Sequence, residues 1–342
     1  MQYRYAMSSI GEYLPALHPS QRSYVRQAWR DVTQEWGKGE PCVDPYPGSN
    51  IVFAVPSRGY VVKMARSPIR ENVLGGLEYE RNVLDILQRS PAPPPVPIPR
   101  PLEYGLTTPH LVTSFVPGHT MRIADLLRTA SSDDIHTMGE TLGIFMHWLS
   151  QAIDQKTYLS EQLNAYSPSF ARRAQLNRLC NQPYTPLPGL PRLSDALLEI
   201  REAWYDFRPC RGDDFFFGHN DLHTNNFAYT LTGGRCHLGG IFDFGMAQPS
   251  SPAQELRTFY AASPAAAETC VRTFERLSGR SVGRVSLRLW ATAEHALPLH
   301  HIITRNLPNP LYFREAKAGL ERIYPGTDWS ELDAFQPADQ TV

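Results

Sequence analysis

The sequence predicts an α+β protein of two lobes, a small mixed β-sheet lobe followed by a larger, mainly helical one. Three observations carry this. Two β-like runs, Ile51–Val55 and Tyr60–Met64, flank Pro56-Ser57-Arg58-Gly59, which is a hairpin signal. Beyond Gly118 the apolar residues recur mostly at helical spacing. The chain has 342 residues, more than a typical single domain and enough for a large core. The expected organisation is a helical extension over 1–36, a small lobe over 37–116 and a large lobe over 117–342.

In order along the chain, Tyr24, Val25, Ala28, Trp29, Val32 and Trp36 give the stripe of a helix from Ser20 to Trp36, with Ser20 as its N-cap. The hairpin follows, then a helix over Glu71–Gln88 whose apolar face is Leu77, Val83, Leu84 and Leu87. Pro91–Pro101 holds seven prolines and excludes helix and central strand. Leu111–Val116 is the next strand, closed by Pro117-Gly118. The larger lobe should contain helices over 123–128, 133–149, 170–180, 193–207, 253–261, 264–278, 285–301 and 311–323. One hairpin is embedded among them, with runs at 227–231 and 236–242 around Thr232-Gly233-Gly234.

Composition excludes several classes. Prolines number 30, well above an average near 5%, but 42% apolar and 11% aromatic residues can support burial, which argues against disorder. A net charge of −1 lacks the basic surplus of a nucleic-acid binder. Five scattered cysteines with no CxxC pair fit neither a disulfide framework nor a zinc knuckle, and point to a reducing cytoplasm. No stretch has the length and apolarity of a membrane span, and the N-terminus lacks a signal peptide's apolar core.

The informative stretch is His219-Asn220-Asp221-Leu222-His223-Thr224-Asn225-Asn226, followed by a hairpin and Ile241-Phe242-Asp243-Phe244-Gly245. Phosphoryl transfer needs a carboxylate at the attacking hydroxyl, oxygen ligands for Mg²⁺ and a cation on the nucleotide phosphates. An H-x-D-x-x-x-x-N loop, a hairpin and a D-F-G supply the first two in one compact run. Each half alone is a weak signal; in this order they are strong. For the cation, Lys63 ends a strand that otherwise reads as buried, and only four of the 33 basic residues are Lys. A compact ammonium on a flexible stem suits phosphates. Glu80 in the following helix is spaced to fix it, with Glu78 as a competitor.

These motifs together resemble the aminoglycoside phosphotransferase/choline kinase family, which has a bilobal, protein-kinase-like fold. The similarity runs from about Gly48 to Tyr260. Gly48-Ser49-Asn50-Ile51-Val52-Phe53 is similar to that family's nucleotide-covering loop and first strand, and Pro95–Gly105 to its proline-rich link into the next strand. The resemblance implies a nucleotide, ATP or GTP, with Mg²⁺, and an acceptor hydroxyl on a small molecule. It implies that Asp221 orients or deprotonates that hydroxyl, that Asn226 and Asp243 bind Mg²⁺, and that Lys63, paired with Glu80, holds the α/β-phosphates. Ser49 and Asn50 would cover the phosphates, and the backbone of Ser114, Phe115 and Val116 would meet the purine. His219, packing the loop against Phe244, and Glu255 would support the catalytic loop. A cytoplasmic enzyme acting as monomer or homodimer, without nucleic acid or membrane, is the corresponding expectation.

The sequence departs from the family at Asn220 and Asn225, where Gly is common, at Phe244, a frequent Trp, and at Glu255, usually Asp. Asn tolerates left-handed backbone angles, so the loop geometry can survive. Among acceptors an aminoglycoside leads, with choline-like amino alcohols, sugars, homoserine and other antibiotics as alternatives. The expected large lobe is net −3, the right sign for a polycation and small in size; Asp213-Asp214 and Asp328, Glu331 and Asp333 add local acidity. A different class, a nucleotide-binding scaffold without turnover, conflicts with an intact set of catalytic groups. A metallohydrolase built on His219, Asp221 and His223 leaves Lys63, Glu80 and Asp243 unexplained. Glu294, His295, His300 and His301 are expected to be ordinary helix positions, their register interrupted by Pro298.

Overall fold

A computed structural model of the chain describes residues 19–37, 42–43, 50–65, 71–105, 109–165, 176, 178–181, 183–203, 214–305 and 310–335. Ser49, Asp213 and most of the helix expected over 170–180 lie outside the described residues. In chain order the elements are α1 (Pro19–Trp36), β1 (Cys42–Val43), β2 (Asn50–Val55), β3 (Tyr60–Ala65), α2 (Glu71–Gln88), β4 (Pro101–Gly105) and β5 (His110–Ser114). Then come α3 (Ile123–Thr129), α4 (Ser132–Ala152), α5 (Gln155–Ser160), α6 (Pro191–Glu202), β6 (Phe217–Gly218), β7 (Phe227–Thr232), β8 (Arg235–Ile241) and β9 (Gln248–Pro249). The chain finishes with α7 (Pro252–Glu255), α8 (Arg257–Ala262), α9 (Pro264–Ser278), α10 (Arg284–Arg305) and α11 (Pro310–Ile323). They fall into two compact units. The first comprises residues 1–129, 151–168 and 225–247, and the second 130–150, 169–224 and 248–342.

The first unit is built on a five-stranded sheet in the order β1-β2-β3-β5-β4, antiparallel at every pairing rather than mixed. The β2–β3 hairpin pairs Asn50 with Ala65 through Val55 with Tyr60, and Gly59 makes its turn at φ 74°. Alternation sends Ile51, Phe53, Val55, Tyr60, Val62 and Met64 to one face, where Val25, Ala28 and Val32 of α1 cover them. Each such buried aliphatic side chain contributes about 1.5–3 kcal/mol. The same alternation turns Lys63 to the opposite face. Ser20 lies inside α1, which starts one residue earlier at Pro19.

The proline run is an ordered connector: Val96 and Ile98 are buried, and the Ile241 N–H donates to the Pro97 carbonyl at 3.0 Å. Its end forms β4, an extra strand where only a link was expected; Pro101 sits at its first residue and a bulge follows before Glu103. The β7–β8 hairpin turns through Gly233 and Gly234, both at positive φ as a two-residue turn of this hand requires.

In the second unit, α4 and α9 approach closely at Gly139 and Gly143. A Cβ on Gly143 would lie 2.5 Å from the Cys270 carbonyl oxygen. The helix expected over 253–261 is two, α7 and α8, joined at Leu256. The helix expected over 285–301 is α10, which runs through Pro298 and continues to Arg305. Proline there removes one hydrogen bond, while buried Leu297 and Leu299 on either side hold the turn in place.

Candidate active site

In the first unit the site is built around Lys63. Its Nζ donates to Glu80 Oε1 at 2.6 Å and to Asp243 Oδ1 at 2.7 Å. Burial alone would lower the ammonium's pKa, but the two carboxylates outweigh it and hold the pKa above its ordinary value. Glu80 is almost fully buried, and its Oε1 also accepts the Phe244 N–H at 3.1 Å, tying α2 to the Asp-Phe-Gly segment. Tyr79, the preceding residue, donates its hydroxyl to the Ala247 carbonyl and makes a second tie. Glu78 instead lies on the exposed side of α2, 3.7 Å from Arg81.

Asp243 and Asn226 are delivered by one hairpin. Phe227 pairs with Ile241, so Asn226 just before β7 lies opposite Phe242, whose N–H donates to the Asn226 carbonyl at 3.1 Å. Asp243 follows with φ 70° and ψ 66°, a left-handed conformation that Asp adopts more readily than most residues. Asn226 is buried, whereas the Asp243 side chain is 42% exposed. Asn50 opens β2, and its Oδ1 is buried without a hydrogen bond from the described residues. Of the run expected to meet the purine, the Ser114 and Phe115 amides are already engaged, donating to the Arg100 and Gly59 carbonyls at 2.8 Å each. Val116, itself buried, makes no such bond among the described residues.

Asp221 belongs to the second unit, in a loop whose backbone is gripped from several sides. The Glu255 carboxylate, with no exposed surface, accepts the His219 N–H at 2.8 Å and the Asn220 N–H at 2.7 Å. Asn220 takes φ 61°, and its amide nitrogen donates to the Gly218 and Gln248 carbonyls while its oxygen accepts from Gln254. Arg257 closes the loop from below, donating to the Asn220 carbonyl at 2.7 Å and to Glu294 on α10 at 2.9 Å. His219 is buried and its Nδ1 accepts the Asp221 N–H at 3.3 Å. Of the two Asn-for-Gly positions, Asn220 is left-handed and Asn225 is not.

The electrostatics of the two carboxyls differ. Burial opposes ionisation of Asp221, but His223 Nε2 at 3.4 Å, with His219 and Arg257 beyond, holds its carboxyl well below the usual range. Burial pushes Glu255 up to about 7, against the two amides and Arg257 that favour its anion. His223, Gln254 and Arg257 carry no motif of their own. Gln254 and the buried Arg257 lie far along the chain from the loop they brace and have no periodic signature, so sequence reading passes over them. Among the described residues no group of three His, Cys, Asp or Glu side chains is arranged to hold a metal by itself.

An antiparallel sheet whose buried Lys meets a helix Glu and a D-F-G Asp, on a chain whose H-x-D loop is braced by its own network, is the arrangement of a kinase-like small-molecule phosphotransferase. The sequence profile of the phosphotransferase enzyme family matches residues 48–290, and the chain belongs to that family. Solved structures share its fold. The GDP complex of wild-type aminoglycoside 2'-phosphotransferase-IIIa is 18% identical, with a TM-score of 0.64, covering 88% of this chain and 97% of that one. Macrolide 2'-phosphotransferase MphH from Brachybacterium faecium is 16% identical, with a TM-score of 0.54, covering 88% and 98%. The streptomycin–ATP ternary complex of APH(2")-IIa is 14% identical, with a TM-score of 0.57, covering 86% and 97%. By sequence, no curated protein matches the chain. Among the described residues no helix is long and apolar enough to cross a membrane.

Proposed function

We propose that the protein transfers the γ-phosphoryl group of ATP or GTP to a hydroxyl of a small molecule, with Asp221 at the attacking oxygen. The observation that carries the reading is the Lys63 ammonium fixed between Glu80 and Asp243, a positioned cation beside a carboxylate on the exposed end of a hairpin. Lys63 would bind the α/β-phosphates, with Glu80 setting its direction. Asn50, whose oxygen lacks a partner among the described residues, and Ser49 would cover the phosphates. The unengaged Val116 amide would face the purine.

Asn226 and Asp243 present amide and carboxylate oxygens, the donors Mg²⁺ prefers, and an ion that keeps waters and substrate phosphates as ligands needs few protein groups. When bound, it supplies charge neutralisation on the phosphates. Asp221, held ionised by His223, would accept the proton of the acceptor hydroxyl and align its lone pair. Glu255, Asn220 and Arg257 would keep that carboxylate in one place, so that little of the binding energy goes into ordering it.

Two acceptor readings remain in play, an aminoglycoside antibiotic or a hydroxylated metabolite such as choline, a sugar or homoserine. A metabolite without a cationic group, such as a sugar, or a zwitterion such as homoserine, is favoured over both the aminoglycoside and choline by where the acidic residues sit. Asp328 pairs with Arg192, Glu331 accepts the Arg192 and Leu193 amides, and Asp333 pairs with Lys317, so all three are committed to joining helices. The deciding experiment is a coupled transfer assay over both classes with Asp221→Asn beside the native enzyme. The variant should lose about 10²–10⁴-fold in kcat and keep its nucleotide KM. Unchanged turnover would remove Asp221 from the reaction, and nucleotide binding with no transfer to any hydroxyl would support a scaffold.

A further inference from the structure

The second unit contains a cavity of about 400 Å³ between the proline-punctuated segment 183–188 and the C-terminal turns of α10. Its size falls in the range of small-molecule sites. One wall carries Arg178 and Tyr184, the other Leu297, His300, His301 and Arg305. Among the described residues that line it there is no carboxylate. The sequence on both sides repeats this. No Asp or Glu occurs from Gln162 to Ser194, a stretch with Arg172, Arg173, Arg178 and Arg192, nor from His295 to Arg314. Arg178 and Arg305 are exposed, and neither has an ion-pair partner among the described residues. Of the acidic residues on adjoining helices, Glu294 is taken by Arg257 and Glu199 by Arg288 and Tyr324, while the exposed Asp195 of α6 acts on Tyr184 from outside the lining. Burial pushes the His300 imidazole toward its neutral form, and the permanent positive charges of the cavity are the two arginines.

The cavity is joined to the catalytic loop through one helix face. Glu294 receives the Arg257 guanidinium that holds the Asn220 carbonyl. Leu297 lies one turn further along α10 and His301 two turns, about 10 Å at 1.5 Å per residue. Resting on the phosphotransferase reading above, we infer that this cavity receives the acceptor and that Arg178 and Arg305 select one bearing a carboxylate or phosphate beside its hydroxyl, not a polycation. The planar guanidinium fork matches either anion. Tyr184, Leu297 and the prolines supply the apolar remainder. An aminoglycoside in this space would set its ammonium groups against two arginines that have no ion-pair partner among the described residues, with no carboxylate among the described residues that line the cavity.

The test is calorimetric titration of the full chain saturated with Mg²⁺ and ADP, so that nucleotide phosphate contacts are already filled. The probes are D-glycerate, glycerol 3-phosphate, glycerol and kanamycin. At least one of the two anions should bind ten or more times tighter than glycerol and kanamycin, and the pair separates carboxylate from phosphate recognition. Arg178→Ala with Arg305→Ala should weaken that binding at least tenfold; both side chains are exposed, so a retained melting temperature certifies the fold. Tightest binding by kanamycin, anion affinity indifferent to both arginines, or no anion binding at all overturns the inference. If the anions bind through the arginines and no hydroxyl compound is ever phosphorylated, the cavity assignment stands and the transferase reading falls.

Discussion

Glu255 shows how one side chain can couple the state of a loop to pH. Both of its oxygens receive backbone amides, which is the geometry of the anion, yet its burial raises the pKa to about 7. A carboxyl whose folded pKa exceeds its unfolded value near 4.5 lends stability that is complete below 4.5 and lost as pH rises through about 7. The melting temperature of the native protein, followed from pH 5 to pH 8, should therefore fall relative to Glu255→Gln, which cannot titrate. The Gln variant also turns an NH₂ toward one of the two amides. At pH 8 it should be less stable than native by about 1–3 kcal/mol, the cost of a buried donor left without an acceptor. Parallel pH curves for the two proteins would show that Glu255 does not titrate in this range.

At the scale of elements, the close approach of α4 and α9 reverses an ordinary expectation. In an isolated helix, Gly143→Ala gains about 1 kcal/mol of propensity. Here the added methyl would stand 2.5 Å from the Cys270 carbonyl oxygen and 2.8 Å from Thr273, atoms that cannot yield without moving the helix. Overpacking of this kind costs about 1–3 kcal/mol, so denaturant titration should find the variant less stable than native. A gain in stability would mean that the two helices separate more easily than their packing suggests. Elements like these were legible only in part. The bounds of α2 and α9 follow directly from apolar spacing and, for α9, from the Ser263 cap and Pro264, because local signals and tertiary packing agree there. β4 was missed because Pro101 and Glu103 break any alternating pattern, and its pairing with β5 is a long-range fact. The helix expected over 285–301 already crosses Pro298; what was missed is its continuation to Arg305, for which no local signal stands in the sequence.

For the whole molecule, the chain is cut into two units whose boundaries do not follow sequence order, since 225–247 belongs with the five-stranded sheet. The residues expected to touch nucleotide, Lys63, Glu80, Asn226 and Asp243, thus share the first unit, and Asp221 lies in the second. Lys63, Glu80 and Asp243, which the structure brings together, could be picked out in the sequence because phosphate and metal chemistry restrict which side chains are candidates. The braces of the Asp221 loop could not, because Gln254 and Arg257 act through backbone carbonyls that carry no sequence mark. Nucleotide should stabilise the protein by mass action, by about 2.7 kcal/mol at a hundred times Kd. The rise in melting temperature with Mg²⁺ and ATP should persist in Asp221→Asn and largely vanish in Lys63→Ala. Equal rises in all three proteins would take Lys63 out of nucleotide binding.

The ion trio around Lys63 also has a history within synthesis. Glu80 is 17 residues downstream of Lys63, whereas Asp243 is 180 residues away. At about 5–20 residues per second, translation separates the two partners by roughly 10–35 s. During that interval the ammonium can be buried only against Glu80, a neutral pair that burial tolerates. Asn226 and Asp243, by contrast, leave the ribosome close together on a hairpin that closes in about 1–10 μs. The nascent chain therefore completes the charges around Lys63 last, after the sheet that carries Lys63 has had time to form.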